Sequence, residues 1–124
     1  MNRDYVKARY WYSLAAQGGD KNAQNSMGRF FYLGLGGSRD RQVALQWFTT
    51  AADQGDPNAA LNLGKVLSDN AASESDLSAA LTWLEIARQR GLDPGPDLEN
   101  LKTHLTNLQA EAAVRNASQW LSVH

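Results

Sequence analysis

A pattern that recurs every 36 residues constrains this chain more than any other feature of its sequence. The pattern begins with an aspartate, continues with alanine and tryptophan, and starts at Asp4, Asp40 and Asp76, so both steps are 36 residues long. No gap is needed to keep the copies in register. A fixed period of this length is typical of helical repeat proteins, in which each copy is one supersecondary unit that stacks on its neighbours.

The first half of the middle copy predicts a helix. Ala44, Trp47 and Phe48 recur at three- and four-residue steps, which places them on one face of a helix. Asp40 stands at the N-cap position, where a carboxylate accepts from unpaired backbone N–H groups. Gly55 stands where the chain must leave the helix through a left-handed conformation.

The second half of the middle copy predicts another helix, because Pro57 after Asp56 suits a first helical turn. Its small residues, Gly64 among them, are expected to let the large side chains of the first helix approach closely. One such pair cannot bury its own tryptophan, so a core stripe between stacked copies is expected at the repeat positions Trp11, Trp47 and Trp83. Over the whole chain the same signals predict seven helices, at residues 4–17, 20–34, 40–54, 57–69, 76–90, 95–105 and 107–122.

The pattern resembles the Sel1-like repeat family, which is related to the tetratricopeptide repeats. The resemblance is strong from residue 4 to residue 91 and weaker in the third copy. In the loop between the second and third copies, Ser68, Asn70 and Ala72 stand where the first copy has Tyr32, Gly34 and Gly36. The residues that carry it are Ala8, Trp11, Tyr12, Ala15, Ala16, Gly19, Asp20, Ala23, Gly28, Tyr32, Gly34, Gly36, Asp40 and those from Ala44 to Gly64.

The resemblance implies an all-α fold, a right-handed α-solenoid of about three helix-turn-helix repeats with a C-terminal capping helix. We place the repeats at about 4–39, 40–75 and 76–105 and the capping helix at 106–122, within a single domain of residues 1–124. Thr106 and Gln109 have the spacing of a capping box at the start of that helix. The family also implies a scaffold that holds other proteins and has no catalytic activity of its own.

The resemblance further implies a binding surface, because the second helix of each pair lines the concave groove in tetratricopeptide relatives. Asparagine amides there could donate to and accept from an extended peptide, and Arg29 and Lys65 could meet a carboxylate. The alternatives are an ordinary solvated face, or binding through the edge or open end of the stack. The candidate partner-binding residues are Asn22, Asn25, Arg29 and Tyr32 in the first copy and Asn58, Leu61, Asn62, Lys65 and Ser68 in the second.

Composition argues against several other functions. A net charge of −1 gives no basic surface for nucleic acid, and no apolar run is long enough for membrane insertion. The chain has no cysteine, and its histidines, His104 and His124, lack partners at metal-ligand or triad spacing. We therefore predict no enzyme, no cofactor and no metal site.

We predict that the chain is a protein–protein interaction scaffold that binds a partner protein or peptide. The alternative is an oligomerisation or structural stacking module without groove binding, in which the N-terminal helical pair stacks on another repeat of the same chain or associates weakly with a second copy. Because the chain opens at a repeat boundary with no polar helix before Tyr5, Tyr10 and Trp11, we expect the C-terminal repeat segment of a larger bacterial-type protein. The compartment stays open: cytoplasmic for a complete chain, periplasmic or exported for a fragment.

Overall fold

Seven helices make up the described part of the chain. The computed structural model describes residues 3–69 and 73–124, and the chain divides into two compact units, residues 1–59 and 60–124. The seven predicted helices are confirmed, with every end within two residues of its predicted place. They are α1 (Arg3–Gln17), α2 (Lys21–Leu33), α3 (Arg41–Asp53), α4 (Pro57–Asp69), α5 (Glu74–Gln89), α6 (Asp97–His104) and α7 (Asn107–Val123).

Aspartates cap α2 and α3, and the cap at Asp40 confirms the prediction. The Asp20 carboxylate accepts from the backbone N–H of Asn22 at 2.9 Å, and that of Asp40 accepts from the N–H of Val43 at 3.1 Å. Each contact satisfies a first-turn donor that has no partner within its own helix. The predicted left-handed exit at Gly55 is also confirmed, with a φ of 92°.

Helix α5 starts earlier than the repeat register predicts. Asp76 was the expected counterpart of the N-cap Asp40, but the N-cap is Ser73, whose hydroxyl accepts from the backbone N–H of Asp76 at 3.2 Å. A serine at this position gives the first turn a capping oxygen three residues sooner, so Glu74–Asp76 join the helix. The predicted connection of residues 69–76 is thereby shortened. Asn70 and Ala72, which the sequence placed in it, lie outside the described residues.

The core of the first unit forms where a glycine meets an aromatic ring. Gly28 of α2 lies against the Phe48 ring of α3, and Phe48 is only 1% exposed. Without a side chain at Gly28 the two helices can approach closely enough to bury the ring. The sequence predicted such a glycine contact but expected it with the helix that follows Phe48; Gly28 belongs to the helix that precedes it.

The core of the second unit repeats this contact and extends it. Gly64 of α4 lies against Leu84 of α5, which is fully buried. Buried residues of α5, α6, α7 and the turn between α6 and α7 complete the cluster, namely Ala80, Leu81, Leu84, Leu98, Leu101, Leu105 and Ala113. The predicted capping box is confirmed at α7, where the Thr106 hydroxyl accepts from the Gln109 N–H at 3.2 Å and the Gln109 Oε1 accepts from the Thr106 N–H at 2.9 Å.

The repeat tryptophans do not form the predicted core stripe. Trp11 is 65% exposed, while Trp47 and Trp83 are half-buried. Trp47 packs on the edge of the cluster that includes Met27, and Trp83 meets Trp120 edge-on with ring centroids 5.5 Å apart. In the second and third copies the residue after the tryptophan takes the central position instead, because the preceding helix presents Gly28 to Phe48 and Gly64 to Leu84. Tyr12, the residue after Trp11, stays 43% exposed.

Candidate protein-binding site

The predicted binding residues on α2 face away from the core of their unit. Ala23, Met27 and Phe30 turn inward, whereas Asn22 and Arg29 are exposed and Asn25 and Tyr32 are half-buried. The Arg39 guanidinium lies over the Tyr32 ring, 5.3 Å from its centroid. Arg29, by contrast, is an exposed cation. Within the described part of the chain it has no ion-pair or hydrogen-bond partner.

The predicted residues on α4 are less accessible. Asn58 is exposed, and its backbone N–H donates to Asp56 Oδ1 at 3.0 Å. Leu61 packs against the core cluster of the second unit, and the Ser68 hydroxyl donates to the Lys65 carbonyl at 2.9 Å. Leu61 and Ser68 thus already have contacts within their own unit. Asn62 and Lys65 are half-buried.

A cavity of about 240 Å³ opens between α1 and α2, and we call it the Tyr12 pocket. Two turns separate Tyr5 from Tyr12 on α1, so both rings lie on the same helix face. Among the lining residues, Arg29 is one of the binding residues predicted from the sequence. The α1 side of the pocket could have been predicted from the seven-residue spacing of its two tyrosines. The lining residues are Tyr5, Tyr12, Ser26, Arg29, Phe30 and Leu35.

Aromatic contacts shape the Tyr12 pocket. Phe30 is buried and meets both tyrosines, Tyr5 with centroids 6.4 Å apart and Tyr12 with centroids 5.5 Å apart. The two tyrosines remain exposed by 41% and 43%. Edge-to-face and tilted ring pairs of this kind are favourable in addition to the area they bury. The pocket therefore has a fixed aromatic floor and two aromatic walls open to solvent.

Arg9 of α1 and Arg29 of α2 have different environments. The Arg9 guanidinium lies 4.1 Å from the Phe31 ring centroid and donates to the Ser38 carbonyl at 3.2 Å. Burial lowers the pKa of Arg9, because desolvation disfavours the charged form. Arg9 is thus held inside the unit, whereas Arg29 lines the open pocket.

Helix α1 also presents an apolar face to solvent. Tyr10 and Trp11 pack edge-on, with their ring centroids 5.2 Å apart. Val6 and Leu14, one helical turn before and one turn after this pair, are also exposed. One 36-residue step on, Tyr12 corresponds to Phe48, which is buried beneath Gly28. We call Val6, Tyr10, Trp11 and Leu14 the α1 apolar face.

Two further cavities lie among the described residues of the second unit. One of about 430 Å³ is lined by residues of α6 and α7, namely Lys102, Ala110, Glu111, Val114 and Arg115. The other, of about 240 Å³, includes the predicted residue Ser68 beside Asn100 and His104. Within residues 3–69 and 73–124 no cluster of His, Asp and Glu is placed to hold a metal ion, and no helix combines the length and apolarity that crossing a membrane requires.

Comparison with known proteins identifies the repeat. The Sel1 repeat family model matches residues 1–20, 21–56 and 57–92, and the last two matches start 36 residues apart, as the sequence period does. No curated protein matches the chain.

Two solved structures are similar to the chain. One is a protective antigen present in uropathogenic Escherichia coli strains that displays an SLR fold, with a TM-score of 0.89, 27% identity and 98% of this chain covered. The other is a Sel1 repeat protein from Oxalobacter formigenes, with a TM-score of 0.70, 28% identity and 99% coverage. The chain spans only 27% and 50% of the lengths of these two proteins. The all-α repeat fold class is confirmed, and the chain belongs to the Sel1 repeat family.

Proposed function

We propose that the chain is a protein-interaction scaffold that binds a partner protein or peptide through residues on α2 and α4. Sel1 repeat proteins generally mediate protein–protein interactions, and this supports the proposal at the level of the family. The observation that carries it to this chain is the placement of Arg29, an exposed cation beside an open aromatic pocket on α2. Aromatic rings and arginine are the residues most enriched at the energetic centres of protein interfaces.

Amides and cations are expected to make separate contributions to binding. An asparagine side chain holds the backbone of an extended peptide by hydrogen bonds. Asn62→Ala should therefore weaken binding by about 1–3 kcal/mol, because it leaves a backbone group of the ligand without a partner. Reversing Lys65 or Arg29 to glutamate should mainly slow association with an acidic partner and reduce its salt dependence.

The test is a pull-down from the native host with purified baits. Wild type is compared with Arg29→Glu, with the double variant Asn62→Ala, Lys65→Glu, and with the control Arg115→Glu on α7, while circular dichroism checks folding. We expect the first two variants to lose partners that wild type and the control retain. Equal recovery by all four baits would show that neither α2 nor α4 is the binding surface.

A second candidate function is oligomerisation, favoured by the α1 apolar face. Tyr10 and Trp11 are more than half exposed, and contiguous exposed apolar residues commonly mark interaction sites. In this function α1 packs against another copy of the chain rather than against a separate partner.

A further inference from the structure

We propose that the Tyr12 pocket binds an acidic peptide segment, which places one large apolar side chain on the aromatic floor and pairs a neighbouring carboxylate with Arg29. This inference rests on the proposed protein-binding function and specifies the chemistry of the partner. Four observations support it: the size of the pocket, its lining, the state of Arg29 and the charge of the unit.

The size of the pocket favours a side chain over a small-molecule ligand. Its volume of about 240 Å³ lies below the range of roughly 300–1,000 Å³ that is usual for drug-sized ligands and cofactors. Tyr5 and Tyr12 are exposed at its mouth, so the occupant can continue outward as a chain. A single aromatic or large aliphatic side chain meets both conditions.

The lining of the pocket favours an apolar group with an anion beside it. Phe30, Leu35 and the two tyrosine rings provide apolar contact surface. Arg29 provides a planar fork of N–H donors that matches a carboxylate in a bidentate pair, and the Ser26 hydroxyl can donate as well. None of the six lining residues is acidic.

Arg29 has no structural use that would explain its position. Arg9, by contrast, packs over Phe31 and donates to a backbone carbonyl, so its charge has internal contacts. Arg29 is exposed and no described residue pairs with it. Its guanidinium is therefore available to a ligand without first breaking an internal ion pair.

The charge of the first unit complements an acidic ligand. Residues 1–59 contain seven Lys and Arg and five Asp, a net charge of +2, whereas residues 60–124 contain five basic and eight acidic residues, a net charge of −3. Three of the five aspartates, Asp20, Asp40 and Asp56, accept hydrogen bonds from backbone N–H groups at helix starts. The positive ends of those helices offset their charge, which leaves the cations of the unit to attract an anion.

The experiment is an NMR titration of the ¹⁵N-labelled full chain with three capped tetrapeptides. The probe is acetyl-Gly-Phe-Asp-Gly-amide. The matched controls replace Asp by Asn, which removes only the charge, or Phe by Ala, which removes only the ring. We expect the probe to shift the backbone amides of Tyr12, Ser26, Arg29 and Phe30. Each control peptide should bind at least about 5-fold more weakly, the Asn peptide because it loses the charge-assisted pair with Arg29 and the Ala peptide because it loses the burial of the ring.

Two protein variants test the role of Arg29. Arg29→Gln should weaken binding of the probe at least about 5-fold and leave binding of the Asn peptide unchanged. Lys21→Gln removes one charge from the same helix without touching the pocket, and we expect it to change affinity less than 2-fold. Both residues are exposed, so neither variant should unfold the chain.

Three outcomes would overturn the inference. The first is equal binding of all three peptides, and the second is an Arg29→Gln variant that binds the probe like wild type. In the third, the chemical shifts of the pocket residues change when the protein alone is concentrated but not when peptide is added. The third would assign the pocket to a second copy of the chain. If peptides fail to bind while the α2 and α4 variants still lose partners in the pull-down, the scaffold function stands and only the pocket assignment falls.

Discussion

The absent side chain at Gly28 determines how closely α2 approaches α3. A Cβ atom at this position would lie 2.5 Å from the nearest atoms of the Phe48 ring, which is closer than carbon atoms can pack. Gly28→Ala should therefore destabilise the chain by about 1–3 kcal/mol, the usual result of overpacking a core, despite the better helix propensity of alanine.

Urea unfolding measures this loss, with Gly18→Ala as the matched control. A Cβ at Gly18 would meet its nearest atom at 3.4 Å, and the residue has no positive φ. We expect the control to change the free energy of unfolding by less than about 0.5 kcal/mol. Equal effects of the two substitutions would mean that Phe48 can move aside.

Glu85 makes the stability of the chain depend on acid pH. Its carboxylate is 3% exposed, forms an ion pair with Arg88 and accepts from Gln89 at 3.1 Å. The hydrogen bond from Arg88 lowers the pKa of Glu85 below its usual value of about 4.3, and the hydrogen bond from Gln89 acts in the same direction. A group with a depressed folded-state pKa stabilises the fold above its unfolded pKa, and this stabilisation is lost as the pH falls through the folded value.

Glu85→Gln should accordingly destabilise the chain at pH 7 by about 1–3 kcal/mol, and the difference from wild type should shrink below pH 4. The control is Glu99→Gln, because Glu99 forms an exposed pair with Lys102 at 3.8 Å that contributes less than about 0.5 kcal/mol. Urea titrations at pH 7, 5 and 3.5 provide the comparison. A constant difference across that range would exclude titration of Glu85 as the cause.

Sequence predicted the caps well, because capping depends on a few residues close together in the chain. Asp40 and Thr106 each cap the helix that follows, as predicted, and Asp20 caps α2 in the same way. The miss at Asp76 has the same local cause. Ser73 offers a competing capping oxygen three residues earlier, and the repeat register alone could not show which oxygen the helix would use.

Among the helices, Phe48 should contribute more to stability than Trp47, the tryptophan before it. Phe48→Ala should lower the free energy of unfolding by about 3–5 kcal/mol, because the ring of Phe48 on α3 is buried against α2. Trp47→Ala should cost less than Phe48→Ala, and Trp11→Ala less than about 1 kcal/mol, since Trp11 is mostly exposed. Thermal or urea unfolding of the three variants gives the order. A Trp11 variant as damaged as the Trp47 variant would contradict the exposed position of α1.

Helical periodicity could not predict this order. Adjacent positions such as Trp47 and Phe48 fall within one broad apolar stripe, so the pattern places both toward the core. Which of the two is central depends on where the neighbouring helix has its glycine, and that is a tertiary property. The same limit applies to the Tyr12 pocket, because Arg29 is recognisable from repeat position alone whereas the pocket exists only once α1 packs on α2.

For the molecule as a whole, the α1 apolar face predicts weak self-association. Sedimentation across a concentration series should show a dimer that Tyr10→Asp or Tyr10→Lys disperses, since either change places a charge in the apolar contact. Leu108→Asp is the control, because Leu108 is an apolar residue on α7 that is 76% exposed, more than the 59% of Tyr10. A chain that stays monomeric at high concentration, or a dimer that Leu108→Asp disperses equally well, would contradict this use of α1.

Salt separates self-association from the peptide binding inferred for the Tyr12 pocket. An apolar contact through Tyr10 and Trp11 should persist or strengthen as ionic strength rises, because it contains no charge pair to screen. Binding of an acidic peptide to Arg29 should weaken over the same range. On going from 0.05 to 0.5 M NaCl, sedimentation should therefore show a dimer that is at least as stable, whereas NMR titration should show weaker peptide binding. If both processes weaken together, Arg29 takes part in both, and the two functions compete for one surface on the first unit.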